Sequence, residues 1–132
     1  MKVMTLALIF SMFLTVISAP PNGSAVVFEA EEINYYEPLI RAVVTVESKG
    51  DIFAFNFLEQ ACGPFQIRPV RINDFNRRTG SNYKADDCFD YELSRKIFLY
   101  YCQGRNYEVC AKSWNGSGPM VKDYWRKVKR EL

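Results

Sequence analysis

Residues 34–50 read NYYEPLIRAVVTVESKG, and the fold of the chain is predicted outward from this stretch. Apolar side chains recur in it at the spacing of one helical face, and Glu47 falls on that same face. Residues 43–46 are all β-branched, which favours a strand on local propensity alone. The helical spacing, a start signal and a glycine stop outweigh that propensity. The stretch is therefore predicted to form a helix that stops at Gly50.

The predicted helix has a start signal at Asn34. Glu37 follows three residues later, which has the form of a capping box, and Pro38 suits the first turn of a helix. Glu47 then lies in the last turn, where the partial negative charge of the helix end and an apolar setting both disfavour ionisation of its carboxyl group. The helix is predicted to present a carboxyl group that holds its proton unusually tightly.

Acid–base chemistry near neutral pH is restricted by composition, because the chain contains no histidine. Such chemistry must therefore use carboxylates, tyrosines, lysines or thiols. Glu47 is the predicted proton donor. The competing interpretation is a helix-end glutamate with its carboxylate in water, which is the commonest state of this residue type.

Residues 1–25 have the layout of a secretory signal peptide. A lysine precedes an apolar run from Val3 to Ile17, and small and turn-forming residues follow. Cleavage after Ala19 would leave a proline at the new N-terminus, and cleavage after Ala25 is equally compatible with the pattern. The run is shorter than the roughly 20 residues of a membrane-spanning helix. We therefore predict export to the periplasm or the extracellular space, with residues 26–132 as the mature domain.

The 132 residues are enough for one compact domain with a hydrophobic core. The formal net charge is +2, from 17 basic and 15 acidic side chains, and removal of the leader would delete Lys2. The mature domain is therefore nearly neutral, which argues against nucleic-acid binding. The basic residues between 122 and 130 are most simply the solvated face of a helix.

Four cysteines follow the leader, and an even number is typical of disulfides in an exported protein. Three pairings are possible, and we favour Cys102 with Cys110 and Cys62 with Cys88. A zinc site is the alternative. The absence of histidine and of any Cys-x-x-Cys pair argues against it, so no metal is predicted.

The rest of the chain is predicted to be mostly helical. Residues 51–69 show no sustained period, so a long loop is predicted there, with a small strand element near residues 53–67. Helices are predicted over residues 68–78, from Asp90 to about Gly104, over residues 107–114 and from about residue 120 to the end. The predicted fold is a mainly α, lysozyme-like α+β domain with an active-site cleft.

Three short strings occur in order along the chain: ES at 47–48, GPFQI at 63–67 and AKSWNGSG at 111–118. Their order and spacing resemble those of the soluble lytic transglycosylases and their goose-type lysozyme relatives. That family carries Glu-Ser, Gly-Leu-Met-Gln and Ala-Tyr-Asn motifs on a lysozyme-like helical fold. The resemblance covers roughly residues 39–122.

The resemblance implies that Glu47 is the sole catalytic acid and base and that no cofactor is needed. The other matched positions are implied to bind or border the substrate: Ser48, Gly63, Phe65, Gln66, Trp114 and Asn115. Gln66 and Asn115 could hydrogen-bond acetamido or hydroxyl groups. Among the aromatic residues, the better candidates for lining a sugar cleft are Tyr83, Tyr101, Tyr107 and Trp114.

Two departures from the family pattern bear on activity. Pro64 and Phe65 replace leucine and methionine, which keeps the loop apolar but stiffens it. Trp114 replaces a tyrosine whose oxygen lies close to the glutamate in the family. An indole N–H can only donate a hydrogen bond, whereas a phenol can donate or accept one. Weaker or differently tuned catalysis is therefore expected.

The reaction implied by the resemblance is cleavage of the β-1,4 bond between N-acetylmuramic acid and N-acetylglucosamine, giving a 1,6-anhydro product. Lysozyme-like hydrolysis is the first alternative and calls for a second carboxylate, for which Asp51 and Glu59 are nearest in sequence. The other two alternative functions are a catalytically silent wall-binding module and a small disulfide-rich interaction protein. We expect the protein to be a monomer. Its expected partners are peptidoglycan strands and a larger envelope or secretion machine that recruits it.

Overall fold

The structure is a computed structural model and describes residues 30–132. The predicted signal peptide lies outside the described residues. Within them, five α-helices and one small antiparallel sheet form a single domain, which confirms the predicted mainly helical fold with a small β part. The elements are α1 (Ala30–Ser48), β1 (Phe55–Asn56), β2 (Ala61–Cys62), α2 (Pro69–Thr79), α3 (Tyr91–Cys102), α4 (Tyr107–Asn115) and α5 (Val121–Glu131).

Helix α1 forms where the sequence predicts it but starts earlier. It begins at Ala30, so Pro38 lies inside the helix and the predicted start at Asn34 is wrong. Tyr36 explains the difference: its ring is buried, and its hydroxyl lies 2.6 Å from the carbonyl oxygen of Cys102. This tertiary contact holds the turn before the proline in place and overrides the local start signal. The helix ends at Ser48, followed by Gly50 in the left-handed region (φ +85°).

The hydrophobic core lies between α1 and the later helices. Leu39, Ile40 and Val43 of α1 are completely buried, and the helix packs mainly against α5. A second part of the core is aromatic: the ring of Phe98 on α3 lies 5.2 Å from that of Phe65 and 5.0 Å from that of Trp114 on α4. These contacts pack α1 against α5, and they pack α3 against α4 and the loop that contains Phe65.

The predicted strand element is a short hairpin. Phe55 pairs with Cys62 and Asn56 with Ala61, and the backbone of Cys62 then pairs with Ile67 through hydrogen bonds of 2.9 and 3.0 Å. Strand β2 is buried, whereas the apolar side chains of the hairpin turn are exposed. The hairpin thus holds the loop of residues 63–66 against the body of the domain.

The later helices begin and end close to the predicted residues because their signals are local. Helix α2 stops before Gly80, which adopts a φ of +70°. The side chains of Asp90 and Asn106 cap α3 and α4, each accepting a 2.9 Å hydrogen bond from a backbone N–H three residues later. The sequence did not predict the short 3₁₀ turn at Ala85–Phe89. No helix within residues 30–132 is long and apolar enough to cross a membrane.

All four cysteines are buried free thiols in the structure, so neither predicted disulfide is formed in it. The members of each predicted pair are nevertheless neighbours. The thiol of Cys110 lies 3.6 Å from the carbonyl oxygen of Cys102. Burial, and next the charge of the nearby Cys62 thiol, raises the pKa of Cys88 to about 12. The pairing of Cys102 with Cys110 and of Cys62 with Cys88 remains a prediction for the oxidised protein.

Candidate active site

A cavity of about 140 Å³ lies where the end of α1, the hairpin, the 63–67 loop, the start of α2 and the end of α4 meet. It brings together residues from all three of the matched strings. Its lining consists of Glu47, Asn56, Glu59, Gln66, Ile67, Arg68, Arg71, Trp114 and Asn115. Of the seven residues predicted for the site, four therefore share one cavity: Glu47, Gln66, Trp114 and Asn115.

The carboxyl group of Glu47 is the unusual group in this cavity. Burial, opposed by a hydrogen bond from Tyr124, raises its pKa from 4.5 to about 7. The negative charge of Glu59 raises the pKa further, and the positive charges of Arg68 and Lys127 lower it. Near neutral pH the group is therefore divided between its acid and carboxylate forms, so it can both donate and accept a proton.

Tyr124 on α5 supports this carboxyl group directly. Its hydroxyl donates a 2.7 Å hydrogen bond to Oε1 of Glu47, and its ring is buried beneath the cavity. Burial, and next the charge of Glu47, raises the pKa of Tyr124 above its ordinary value, so the phenol stays neutral and acts as a donor. Tyr124 was not singled out from the sequence, because nothing in the pattern of the last helix indicates its partner.

Trp114 does not contact Glu47 through a hydrogen bond. Its indole N–H donates to the carbonyl oxygen of Phe65 at 3.1 Å, which fastens α4 to the 63–67 loop. The side chain is buried and borders the cavity. The tryptophan therefore connects two walls of the site, and the phenol that reaches Glu47 comes from Tyr124 on α5.

Gln66 adopts a left-handed backbone conformation (φ +48°), and its side chain lines the cavity. Its amide nitrogen donates to the carbonyl oxygens of Ala54 (3.1 Å) and Gly63 (3.0 Å). Its amide oxygen has no protein partner within residues 30–132, so it is available to a ligand. Asn115 lines the opposite side, and its backbone carbonyl accepts a 3.1 Å hydrogen bond from Arg68.

Three predicted substrate-binding residues, Ser48, Gly63 and Phe65, lie outside the cavity lining, and their role in substrate binding stays a prediction. The Ser48 hydroxyl donates to the Val44 carbonyl of its own helix at 3.1 Å. Phe65 is completely buried in the aromatic core. Gly63 packs so tightly that a Cβ atom there would lie 1.9 Å from the carbonyl oxygen of Cys88. Motif membership does not separate residues that touch a ligand from residues that hold the wall in place.

Among the four aromatic candidates for the sugar cleft, only Trp114 lines the cavity. The Tyr101 hydroxyl donates to Asp74 at 2.7 Å, and the Tyr107 hydroxyl bonds to the backbone of Tyr35. Tyr83 is tied to Asn76 through its backbone. Tyr83, Tyr101 and Tyr107 therefore lie outside this cavity, and their role in lining a sugar cleft stays a prediction.

The sequence interpretation missed both arginines of the cavity, Arg68 and Arg71. The Arg71 guanidinium lies between the rings of Tyr101 (4.6 Å) and Trp114 (4.7 Å), and it donates to the Ser113 and Trp114 carbonyls. The available signal was their spacing: residues three apart at the start of a helix lie on one face. Of the two carboxylates considered as partners for Glu47, Glu59 lines the cavity and Asp51 instead accepts a hydrogen bond from the Phe53 backbone.

The chain matches no protein-family model, no curated protein and no solved structure. In the part of the chain that the structure describes, no group of three potential ligand side chains is placed to hold a metal ion. The arrangement of residues around Glu47 is therefore the basis for assigning a function.

Proposed function

We propose that this chain is an exported lytic transglycosylase that cleaves the β-1,4 bond between N-acetylmuramic acid and N-acetylglucosamine in peptidoglycan. One observation carries the proposal: the carboxyl group of Glu47, with its pKa raised to about 7, lines a cavity together with a glutamine and an asparagine. Such a group can protonate a glycosidic oxygen and later act as a base, which is what cleavage by one residue requires.

The proposed reaction needs two proton transfers through Glu47. In its acid form Glu47 donates a proton to the glycosidic oxygen, and the bond from that oxygen to C1 breaks. The carbonyl oxygen of the substrate's N-acetyl group attacks C1 and carries the positive charge as a cyclic oxazolinium. The Glu47 carboxylate then takes the proton of the 6-hydroxyl, whose oxygen displaces the N-acetyl oxygen from C1. The product is a 1,6-anhydro sugar, and Glu47 is protonated again.

The surroundings of Glu47 suit both of the proposed proton transfers. The hydrogen bond from Tyr124 is directed at Oε1 and stabilises the carboxylate that the first transfer creates. Burial acts in the opposite direction and favours the acid form needed at the start. The Tyr124 phenol also weakens the argument for a catalytically silent wall-binding module, which rested on the replacement of tyrosine by Trp114.

Hydrolysis is the second candidate, and Glu59 is the observation that favours it. Its side chain lines the same cavity, and its charge raises the pKa of Glu47. An exposed carboxylate in that position could activate a water molecule, which would give a free reducing end in place of the anhydro ring. Replacement of Glu59 by glutamine would abolish hydrolysis but leave transglycosylation largely intact.

Digestion of purified cell-wall sacculi tests the proposal. The soluble products of the mature protein, separated and weighed by mass spectrometry, are expected to carry 1,6-anhydromuramic ends. Products heavier by one water would indicate hydrolysis. Binding to the sacculi without soluble product would indicate the wall-binding module. Failure both to bind and to cleave would contradict a wall function altogether and favour the interaction protein.

Export and recruitment belong to the same proposal. N-terminal sequencing of the protein secreted by its producing cell is expected to begin at residue 20 or residue 26. The domain is small and is proposed to act as a monomer that a larger envelope or secretion machine directs to its place in the wall. Cross-linking in intact cells would identify such a machine, and recovery of the uncleaved chain in the cytoplasm would contradict export.

A further inference from the structure

Arg68 and Arg71 have no part in the proposed proton transfers, yet both line the cavity beside Glu47. Within residues 30–132, neither guanidinium forms an ion pair with a carboxylate, whereas five other basic side chains do. Burial lowers the pKa of Arg71, and the positive charge of the nearby Arg68 lowers it further. The cavity thus contains two positive charges that no ion pair within the described residues engages.

The protein orients these guanidinium groups without neutralising them. The Nη2 atom of Arg68 donates to the Asn115 carbonyl at 3.1 Å. The Nη2 atom of Arg71 donates to the carbonyls of Ser113 (3.1 Å) and Trp114 (3.0 Å). Carbonyl oxygens are neutral acceptors, and each guanidinium has five N–H donors, so donors remain for a ligand on both side chains. A planar guanidinium held in this way suits a carboxylate, which can accept two of its hydrogen bonds.

A second cavity of about 290 Å³ adjoins the first at these same two arginines. Its other lining residues are Val70 and Asp74. The Asp74 carboxylate is already engaged by the Tyr101 hydroxyl, by Arg78 at 2.6 Å and by Arg77. Its negative charge is therefore already paired, and the two arginines lie between the two neighbouring cavities. A glycan that extends beyond the cleaved bond would pass these two arginines.

We propose that Arg68, with Arg71 beside it, binds a carboxylate carried by the glycan next to the scissile bond and so selects anionic over neutral N-acetylated glycans. This inference rests on the proposed function. The exposed carboxylate of Glu59 also lines the first cavity, so an anionic group there is repelled by Glu59 and attracted by the arginines. Two sources supply such a carboxylate in peptidoglycan: the lactyl group of muramic acid once its peptide is removed, and the stem peptide itself.

Binding measurements test this selection separately from cleavage. The mature protein carrying Glu47→Gln is titrated calorimetrically with three ligands that share one glycan backbone: strands with free lactyl carboxylates, strands with stem peptides, and strands whose lactyl carboxylates have been amidated. We expect at least one carboxylate-bearing ligand to bind about tenfold more tightly than the amidated one, and the preference to shrink as salt is raised. The ligand that shows the preference identifies the source of the carboxylate.

Variants of Arg68 complete the test. In the same background, Arg68→Gln is expected to abolish the preference while affinity for the amidated strands stays the same, and Arg68→Lys is expected to retain part of it. Arg130→Gln, at the exposed end of α5, removes the same charge and is the matched control. Equal binding of all three ligands, or a preference that survives Arg68→Gln, would overturn the inference. A preference without any cleavage by the wild type would instead overturn only the proposed function.

Discussion

The hydroxyl of Tyr124 donates a 2.7 Å hydrogen bond to Oε1 of Glu47 and so joins residues that are 77 positions apart in the chain. The bond connects the last helix to the end of the first one, at the cavity where the three matched strings meet. It stabilises the ionised carboxylate, whereas burial stabilises the acid form. The proton affinity of Glu47 is set by the balance of these two effects, with smaller contributions from Glu59, Arg68 and Lys127.

Replacing Tyr124 by phenylalanine would change this balance in a defined direction. Loss of the hydrogen bond removes a stabilising contact from the carboxylate, so the pKa of Glu47 should rise above about 7. The alkaline limb of kcat/KM against pH is expected to move to higher pH by about one unit. Tyr100→Phe is the control, because the Tyr100 hydroxyl makes no hydrogen bond in the described part of the chain. A shift of the limb to lower pH would contradict the assignment.

Glu47 is expected to destabilise the fold as the pH rises. Its folded-state pKa of about 7 exceeds the ordinary 4.5, so the folded protein binds more protons than the unfolded chain between those values. The stability supplied by the protonated group is complete below about pH 4.5 and is lost as the pH rises towards 7, amounting to about 3 kcal/mol. Between about pH 4 and pH 8, the free energy of unfolding of Glu47→Gln should therefore increase relative to that of the wild type. A difference between the two that does not change with pH, in urea titrations, would contradict the raised pKa.

Gly63 is expected to tolerate no side chain. Gly63→Ala would place a Cβ atom 1.9 Å from the Cys88 carbonyl oxygen, in a backbone with a φ of +76°. Gly80→Ala has a similar φ of +70° but nothing within 4 Å, so it isolates the effect of the backbone. The Gly80 variant should lose about 1 kcal/mol in urea unfolding, and the Gly63 variant about 3 kcal/mol or more. Equal losses would show that the close approach to Cys88 carries no energetic weight.

The four cysteines give a prediction about the exported protein. When it is purified from an oxidising compartment, peptide mapping without reduction should find Cys102 joined to Cys110 and Cys62 joined to Cys88. Each bridge closes a loop, and the chain-entropy estimate for loops of these lengths is about 3 kcal/mol. Reduction should therefore lower the Tm by many degrees. Mapping that finds four alkylatable thiols, or a bridge between Cys62 and Cys110, would contradict the pairing.

Helices were predicted well where their ends depend on nearby residues. The caps at Asp90 and Asn106 and the stop at Gly80 act within one turn, so a local pattern is sufficient. The start of α1 was not predictable in this way. Tyr36 holds that turn through contacts with the backbone of Cys102 and Arg105, more than 60 residues away. Local signals cannot report a contact at that distance.

In the candidate site, too, residues in local patterns were predicted and residues brought in by tertiary packing were not. Glu47, Gln66, Trp114 and Asn115 were predicted because they belong to short strings whose order indicates a common cleft. Arg68, Arg71 and Tyr124 were missed, because each enters the site through the packing of an element whose sequence has no catalytic pattern. Phe65 and Gly63 lie outside the cavity lining, because a motif contains both residues that line a site and residues that hold the loop in place.

Release of soluble muropeptides from sacculi measures whether the Glu47 proton cleaves the glycan. The wild type and Glu47→Gln are compared below pH 7, with Glu131→Gln as a control that removes one exposed carboxylate. We expect the Glu131 variant to match the wild type and the Glu47 variant to lose activity by a factor of about 100 to 10,000. Equal release by the wild type and by a folded Glu47→Gln protein would contradict the account.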